Sequence, residues 1–293
     1  MSLQNNSQKE RNAVLGGVLY LVATPIGNLA DISERALKVL SEVDFVAAED
    51  TRNSGLLLSR FGISKPMVSY FEHNKHERGA QIIARLKGGE SCAVVTDAGT
   101  PAVSDPGEDI VRLCVAEGIT VTSIPGCCAA ITALTLSGMD TRRFCFEGFI
   151  PVNKGERRER LRSLENEERT MIFYEAPHKL RTTLSDMLTA FGEERQIALC
   201  RELTKLNEEV CRTTLEGAVR LYEEREPRGE YVLIVAGADK TAPKIDYPAD
   251  PVEHVEDLVQ SGMSKKDAIK AVAKARGVAK NEIYALVMKK DEE

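Results

Sequence analysis

The chain has 293 residues, 43% of them hydrophobic, with seven cysteines and a formal net charge of −6. That is ample material for a core and length enough for two domains, and no run approaches the ~20 apolar residues of a membrane-spanning helix. The acidic balance speaks against a general nucleic-acid binder, and an odd number of cysteines without a CxxC pair points to a reducing cytoplasm rather than a disulfide framework.

The opening MSLQNNSQKERN is polar, lacks a signal-peptide pattern and is expected to belong to a disordered tail over residues 1–16. VLYLVAT (18–24) reads as a strand and DISERALKVLSEV (31–43) as a helix, with Asp31 and Glu34 at capping-box spacing. Strand DFVAAE (44–49), helix 52–61, strand MVSYF (67–71), helix 76–87, strand CAVVT (92–96), helix 106–117, strand TVTSI (120–124) and a small-residue helix over 127–137 follow. Strand–helix alternation with apolar strands predicts a mainly parallel sheet covered on both faces.

Beyond it, RFCFEGF (143–149), TMIFYEA (170–176), QIALCREL (196–203), EEVCRTT (208–214) and EYVLIVAG (230–237) read as strands, with helices at 155–165, 177–190 and 215–225. The strands around 200–214 are too close for a helical crossover, so this second sheet is expected to be mixed, with an antiparallel pair. ADKTAPKIDYPADP (238–251) reads as a proline-bearing linker, followed by three short amphipathic helices. The expected organisation is therefore α/β: a domain over 17–126, a second α/β domain over 127–238, a linker over 239–249 and a small basic helical domain over 250–293.

Charge is unevenly spread. Between Gly262 and Lys290 eight Lys/Arg face Asp267 and Glu282, a local +6, and between Asn153 and Arg162 five basic residues face two glutamates, a local +3. Such patches on an acidic body either attract a polyanion or form solvated helix faces.

In an open parallel sheet, ligands bind beyond the carboxyl ends of the strands, where DAGTPAVSDPG (97–107) stands. Asp105, Pro106 and Glu108 fit an N-cap, a first-turn proline and an N3 glutamate. Asp105 is thus assigned to capping, which removes a two-aspartate metal site and leaves Asp97, Gly99, Thr100 and Pro101 without a structural task. There is no GK[ST] of a phosphate-binding P-loop, and no GxGxxG follows the first strand, which disfavours a nicotinamide oxidoreductase. TPIGNLAD after the first strand and IPGCCAAITAL (124–134) after the last supply further Gly/Pro and small residues at strand ends. Loops of this kind let backbone approach a ligand closely and suit an adenine nucleoside better than a pyrophosphate.

LVATPIGNLADISERAL, AAEDTR, VVTDAGTPAVSDPG, IPGCCAAITAL, FEGFIP, FYEAPHKL, RELTK and GEYVLIV occur in the order and spacing of the tetrapyrrole-methylase-like (class III) methyltransferases, which the chain resembles over residues 18–237. Within that family it is most similar to the bacterial branch that methylates the ribose 2′-hydroxyl of a cytidine in the decoding centre of 16S rRNA. The resemblance implies S-adenosylmethionine bound in a cleft between two α/β domains of a homodimer. It maps Pro25 and Gly27 to the first-strand loop, and Asp97, Gly99, Thr100, Pro101, Val103 and Ser104 to the loop around the methionine part of the cofactor. Cys128, Ala129 and Ala130 map to the third loop, where PGCCAA departs from the commoner small polar residue after the glycine.

A ribose hydroxyl is a poor nucleophile and benefits from a base or from a cation facing the developing oxyanion. Glu175, Arg201, Glu202 and Lys205, at strand ends expected to face the cleft, are the first candidates, with helix capping (Glu175) and ion pairing (RELTK) as the structural alternatives. Glu49, Asp50, His73, His76 and His178 are further candidates; Glu230 resembles a family position, with pairing to Arg228 as the structural alternative. His73 and His76 lack a third ligand, so no metal is expected, and the cysteines read as packing residues. RNA contacts are expected from Arg52, from Arg157 and Arg158, and from Lys266, Lys270 and Lys274, four apart along one helical stripe with Ala268, Ile269, Val272 and Ala273 packing inward. The rivals are a tetrapyrrole C-methyltransferase and a non-catalytic RNA-binding assembly factor. The expected partners are the small ribosomal subunit and a second copy of the chain.

Overall fold

Apolar strands without polar alternation must be covered on both faces, and the first half of the chain is built that way. The computed structural model describes residues 12–105, 107–239, 248 and 250–291, with the side chain of Lys274 outside that set. It places β1 (Val18–Val22), β2 (Phe45–Ala48), β3 (Met67–Ser69), β4 (Cys92–Val95) and β5 (Thr120–Ile124) in one wholly parallel sheet of order β3-β2-β4-β1-β5. The inner strands β2 and β4 are buried throughout, whereas the edge strand β5 exposes Thr120 and Ser123. Helices α1 (Glu34–Glu42), α2 (Thr51–Arg60), α3 (Lys75–Lys87) and α4 (Gly107–Ala116) make the crossovers. Val39 and Leu40 of α1 pack with Val22 and Val46 on one face, and Ile82, Leu86 and Ile110 pack with Leu19 and Phe45 on the other. Each such fully buried side chain stabilises the fold by roughly 1.5–3 kcal/mol.

The start of α1 corrects the sequence expectation. Leu29–Asp31 form a single 3-10 turn capped by Asn28, whose side-chain oxygen accepts from the Ala30 N–H at 3.1 Å, and Ile32 is extended, so Asp31 lies outside the helix. Ser33 is the cap, its hydroxyl accepting from the Ala36 N–H at 3.1 Å.

The second sheet consists of β6 (Phe144–Phe149), β7 (Thr170–Glu175), β8 (Gln196–Arg201), β9 (Glu209–Thr214) and β10 (Tyr231–Val235), in the order β6-β7-β10-β8-β9. Only β6 and β7 run parallel; β7–β10, β10–β8 and β8–β9 are antiparallel. α5 (Ala129–Ser137) covers one face, setting Ala133 and Leu134 against Ile172, Ala198 and Ile234. α6 (Lys154–Ser163), α7 (Pro177–Phe191) and α8 (Leu215–Glu224) cover the other with Leu161, Leu180, Leu184 and Leu215.

Both sheets lie in a compact unit that ends at Ala238, and a second unit begins at Asp239. In the second unit α9 (Pro251–Gln260), α10 (Lys265–Arg276) and α11 (Lys280–Asp291) bury Val255, Ala268, Ile269, Val272, Ala273, Ile283 and Val287. Residues 1–11 of the expected tail, and 240–247 and 249 of the expected linker, lie outside the described residues.

Candidate active site

Three loops leave the carboxyl ends of β1, β4 and β5 and are tied together by backbone. Thr24 and Gly99 form an antiparallel bridge, Thr24 N–H donating to Gly99 O at 2.9 Å and Gly99 N–H to Thr24 O at 3.1 Å. Gly99 has φ +86°, and a Cβ there would lie 3.3 Å from Ile26 Cγ2, so both conformation and space call for glycine. The Thr100 hydroxyl donates to the Cys127 carbonyl at 2.9 Å, which links the second loop to the third.

Ala102 and Ser104 both adopt φ 67°, a left-handed conformation that costs a residue with a side chain about 1–2 kcal/mol. Asp105 holds them there. Its carboxylate accepts from Ala102 N–H at 2.9 Å, from Val103 N–H at 3.3 Å and, as the cap of α4, from Gly107 N–H at 2.7 Å. Pro106 lies outside the described residues.

These loops form one side of a cavity of about 560 Å³ lined by Asp97, Gly99, Thr100, Val103, Ser104, Cys128 and Ala129. Ile26 also lines it, whereas Pro25 and Gly27 line an adjoining cavity of about 350 Å³, and Pro101 and Ala130 stand behind the surface. The opposite wall comes from the second sheet: Phe149, Tyr174, Glu175, Leu203, Glu230, Tyr231 and Val232. Tyr174 meets Phe146 and Phe149 edge-on at centroid distances of 5.1 and 5.5 Å, and burial pushes its phenol up to about 12. A site with an aromatic-aliphatic wall on one side and exposed loop backbone on the other fits a nucleoside.

The charged groups lining the larger cavity are all carboxylates. Glu49 accepts from the Thr96 hydroxyl at 3.1 Å, and Asp97 from the Asn53 amide at 3.3 Å. Desolvation, joined by the negative charges of Asp97, Asp105 and Asp50, raises the Glu49 carboxyl above its ordinary value against the opposing Thr96 hydrogen bond. Glu175 is buried where β7 meets α7, accepting from Ala176 N–H at 2.8 Å and from the Thr183 hydroxyl. It caps no free helix N–H in the first turn, yet it lines the cavity.

The other predicted catalytic residues divide. Lys205 lines the smaller cavity, and its ammonium donates to Glu202 Oε1 at 2.8 Å and Glu230 Oε2 at 2.9 Å. Burial pulls the Lys205 ammonium down, but the hydrogen bonds to the two glutamates outweigh it and leave it above the ordinary lysine value. Glu230 thus pairs with Lys205, not with Arg228, because its side chain leaves the start of β10 toward the 202–205 loop. Glu202 also accepts the Glu230 N–H at 3.0 Å and stands behind Lys205 rather than on a cavity wall. Arg201 does not face the cleft. It donates to Arg228 O at 2.7 Å and Glu209 Oε2 at 3.2 Å, because alternation along β8 sends Cys200 to the cavity and Arg201 to the far face.

Among the RNA candidates, Arg52 is almost fully exposed and forks onto Asp50 at 3.1 and 2.7 Å. Arg157 is a correction: it is buried, donating to Asp186 at 2.8 Å and Val152 O at 2.8 Å, and so is part of the core edge rather than a surface. Arg158 shares Asp186 at 3.0 Å and is half-exposed. Lys266 and Lys270 are exposed on α10, and the side chain of Lys274 lies outside the described residues. His73 and His76 are exposed, and no group of His, Cys, Asp or Glu that could hold a metal ion occurs among the described residues. Sequence reasoning missed Ile26, Tyr174, Phe149, Leu203 and Val232; the signal was apolar residues at the ends of β6, β7 and β10 and in the loops just after β1 and β8.

A parallel sheet joined to a mixed one, with three strand-end loops closing on one nucleoside-sized cavity, defines a two-sheet α/β protein that binds a nucleotide-like small molecule. Residues 18–219 match the family described as Tetrapyrrole (Corrin/Porphyrin) Methylases, and the chain belongs to that family. It is 48% identical over 271 residues to the ribosomal RNA small subunit methyltransferase I of Halalkalibacterium halodurans, covering 92% of this chain and 93% of that one. The proteins of that name from Synechocystis sp. and Escherichia coli O157:H7 are 44% and 45% identical, each over 92% of this chain and over 97% and 93% of their own. The fold is similar to the uroporphyrin-III-C-methyltransferase of Thermus thermophilus, with a TM-score of 0.55 at 22% identity over 75% of this chain and 94% of that one.

Proposed function

We propose that the protein is an S-adenosylmethionine-dependent methyltransferase acting on the ribose 2′-hydroxyl of a cytidine in the decoding centre of 16S rRNA. The observation that carries the reading is the cavity itself. Glycine and small side chains (Ala98, Gly99, Cys128, Ala129) bring backbone to its surface, aromatic and aliphatic groups line its far wall, and its charged groups are all carboxylates. That lining fits the cofactor: Tyr174 and Val232 would hold an adenine, residues 97–104 would hold the ribose and methionine part, and the carboxylates of Asp97 and Glu49 would suit a positive sulfonium.

S-adenosylmethionine supplies, when bound, a methyl group activated by its positive sulfur. The chain supplies alignment and dryness, which carry much of the rate of an in-line displacement. Asp105 fixes the 102–104 backbone, Glu175 locks the end of β7 to α7, and Glu202 holds Lys205 at the mouth. The hydroxyl proton needs an acceptor; Glu49, whose burial raises its proton affinity, is suited to it. Arg201 has no part. Lys266, Lys270 and the exposed Arg52 and Arg158 provide cations for RNA phosphates.

The enzyme acts in the cytoplasm as a homodimer on this reading, with the exposed apolar Phe149, Val152 and Leu206 available to a second copy. No helix among the described residues is long and apolar enough to cross a membrane. Incubation with methyl-labelled S-adenosylmethionine and small ribosomal subunits lacking the modification should put label into 2′-O-methylcytidine after digestion to nucleosides. Absence of label there, with cofactor binding intact, sinks the substrate assignment.

A further inference from the structure

The two cavities share Ile26, Thr96, Asp97, Ala98 and Glu230, so the smaller opens directly onto the larger. Among the described residues, Lys205 is the one cationic side chain lining either of them, against Glu49, Asp97, Asp105, Glu175 and Glu230. Carboxylates suit a sulfonium but repel a polyanionic substrate, so an RNA phosphate entering the smaller cavity has one cation to find. That cation is already engaged by two carboxylates of different kinds.

Glu202 is fixed. It accepts the Glu230 N–H as well as Lys205, its side chain is 17% exposed, and it packs where Gly229 has no side chain: a Cβ there would lie 2.5 Å from Glu202 Cγ. Among the described residues the Glu230 carboxylate is held by Lys205 alone, and its side chain is 79% exposed. The Lys205 loop is rigid, with Glu202 at φ 50° and Thr204 at φ 65°, and Thr204 N–H donates to Glu208 at 2.6 Å. A β-branched residue in that conformation persists only where its surroundings impose it. Lys205 is therefore held in place while one of its two partners is free to leave.

We propose that Glu230 is an anionic placeholder: its carboxylate occupies, on Lys205, the position that a backbone phosphate of the substrate RNA takes when the target nucleotide enters the smaller cavity. Glu202 stays on Lys205 throughout, and Glu230 swings into solvent. Glu202 alone balances the Lys205 charge in both states, so the exchange makes RNA displace an internal competitor, which disfavours weakly bound anions. It rests on the RNA reading above.

The test is the equilibrium binding of a fluorescein-labelled single-stranded oligoribonucleotide to the cofactor-loaded full chain, followed by anisotropy. Glu230→Gln should bind about 3- to 10-fold tighter than wild type, and Lys205→Met about 10-fold weaker. The double variant should match Lys205→Met within about 2-fold, because a placeholder has no effect once its lysine is gone. Glu230→Asp, too short to reach Lys205 but still charged, should also bind more tightly than wild type. If the Glu230→Gln gain survives undiminished beside Lys205→Met, or if Glu230→Asp binds like wild type, Glu230 merely repels RNA and the proposal is overturned. Weaker binding by Glu230→Gln overturns it as well. Calorimetric cofactor binding shows that each variant is folded, and methyl transfer by wild type to unmodified small subunits, run alongside, reports separately on the function itself.

Discussion

Gly27 and Lys205 leave no room between them: a Cβ on Gly27 would lie 2.4 Å from Lys205 Cγ, and 2.8 Å from Thr204 Oγ1. The first-strand loop of the parallel sheet and the 202–205 loop of the mixed sheet are thus in direct contact at the mouth of the cavity. Gly27→Ala should push the Lys205 loop outward while leaving both hydrophobic cores intact. A displacement near 1 Å at a positioning group lowers rate by about 100-fold, so methyl transfer to small subunits should fall by roughly that factor. The melting temperature should move by only a few degrees, and an unchanged rate would show that the contact does not position Lys205.

Asp105 is expected to matter in two places at once. Asp105→Ala removes the cap of α4, worth about 1 kcal/mol, and releases the left-handed Ala102 and Ser104 from their anchor. Denaturant unfolding should show a loss of about 1–2 kcal/mol, with cofactor affinity by calorimetry falling more than this stability change alone explains. Gly99→Ala should weaken the cofactor similarly, since φ +86° and the Ile26 methyl both oppose a side chain.

Much of this was legible from sequence and some was not, for a physical reason that particular residues show. The inner strands β2 and β4 were readable because a strand buried on both faces has to be an unbroken apolar run. The 97–101 loop was readable as a candidate ligand loop because Asp105 fits a helix start and leaves 97–101 without a structural task, and Asp97, Gly99 and Thr100 do line the cavity. Arg157 and Arg158 look alike in KGERRERLRS; what separates them is Asp186 on α7, 29 residues away, which draws one guanidinium into the core. Glu230 likewise pairs with Lys205, 25 residues earlier in the chain, and not with its near neighbour Arg228. Local pattern names elements and caps, but the partner of a charge is chosen by tertiary proximity.

Arg157 and Lys270 should therefore separate stability from RNA binding. Arg157→Ala leaves Asp186 buried with only the half-exposed Arg158 beside it and should destabilise by about 3 kcal/mol. Lys270→Glu with Lys266→Glu should leave the melting temperature unchanged, weaken RNA uniformly across sequences and reduce the salt slope of binding by about one for each phosphate no longer neutralised. Unchanged RNA affinity in the reversed variant would remove α10 from the interface.

The Glu49 carboxyl predicts a pH effect with a definite sign. Burial raises its proton affinity in the folded protein above the ordinary glutamate value of 4.5, so the folded state holds this proton more tightly than the unfolded chain does. Its favourable contribution is complete below the unfolded value and is lost as pH rises through the raised one. At pH 7.5 Glu49 is ionised at a net cost, and Glu49→Gln should raise the melting temperature by about 1–2 °C, an advantage that disappears at pH 4. Activity should run the other way: a proton acceptor must be ionised, so the acid limb of the wild-type rate profile lies above the ordinary carboxylate range and Glu49→Gln abolishes it together with most of the rate. An acid limb retained in Glu49→Gln would assign the proton to another group.

Cys128 offers a readout of cofactor occupancy that needs no substrate. It is half-buried, lines the cavity and precedes α5, whereas Cys145 and Cys211 are also half-buried but lie against the core on the far face of the second sheet. Thiol reactivity follows access and thiolate fraction, and burial raises the Cys145 and Cys211 thiols, so both should react slowly whatever the cavity holds. Alkylation by a small maleimide, mapped by peptide mass, should label Cys128 in the free protein and slow by about tenfold at a cofactor concentration ten times its Kd, as expected if only the free form reacts. Cys145 and Cys211 should be indifferent to the cofactor. Equal protection of all three would mean that ligand binding tightens the whole fold. No protection of Cys128 would place the cofactor away from the third loop, and the 97–104 loop alone would then have to hold it.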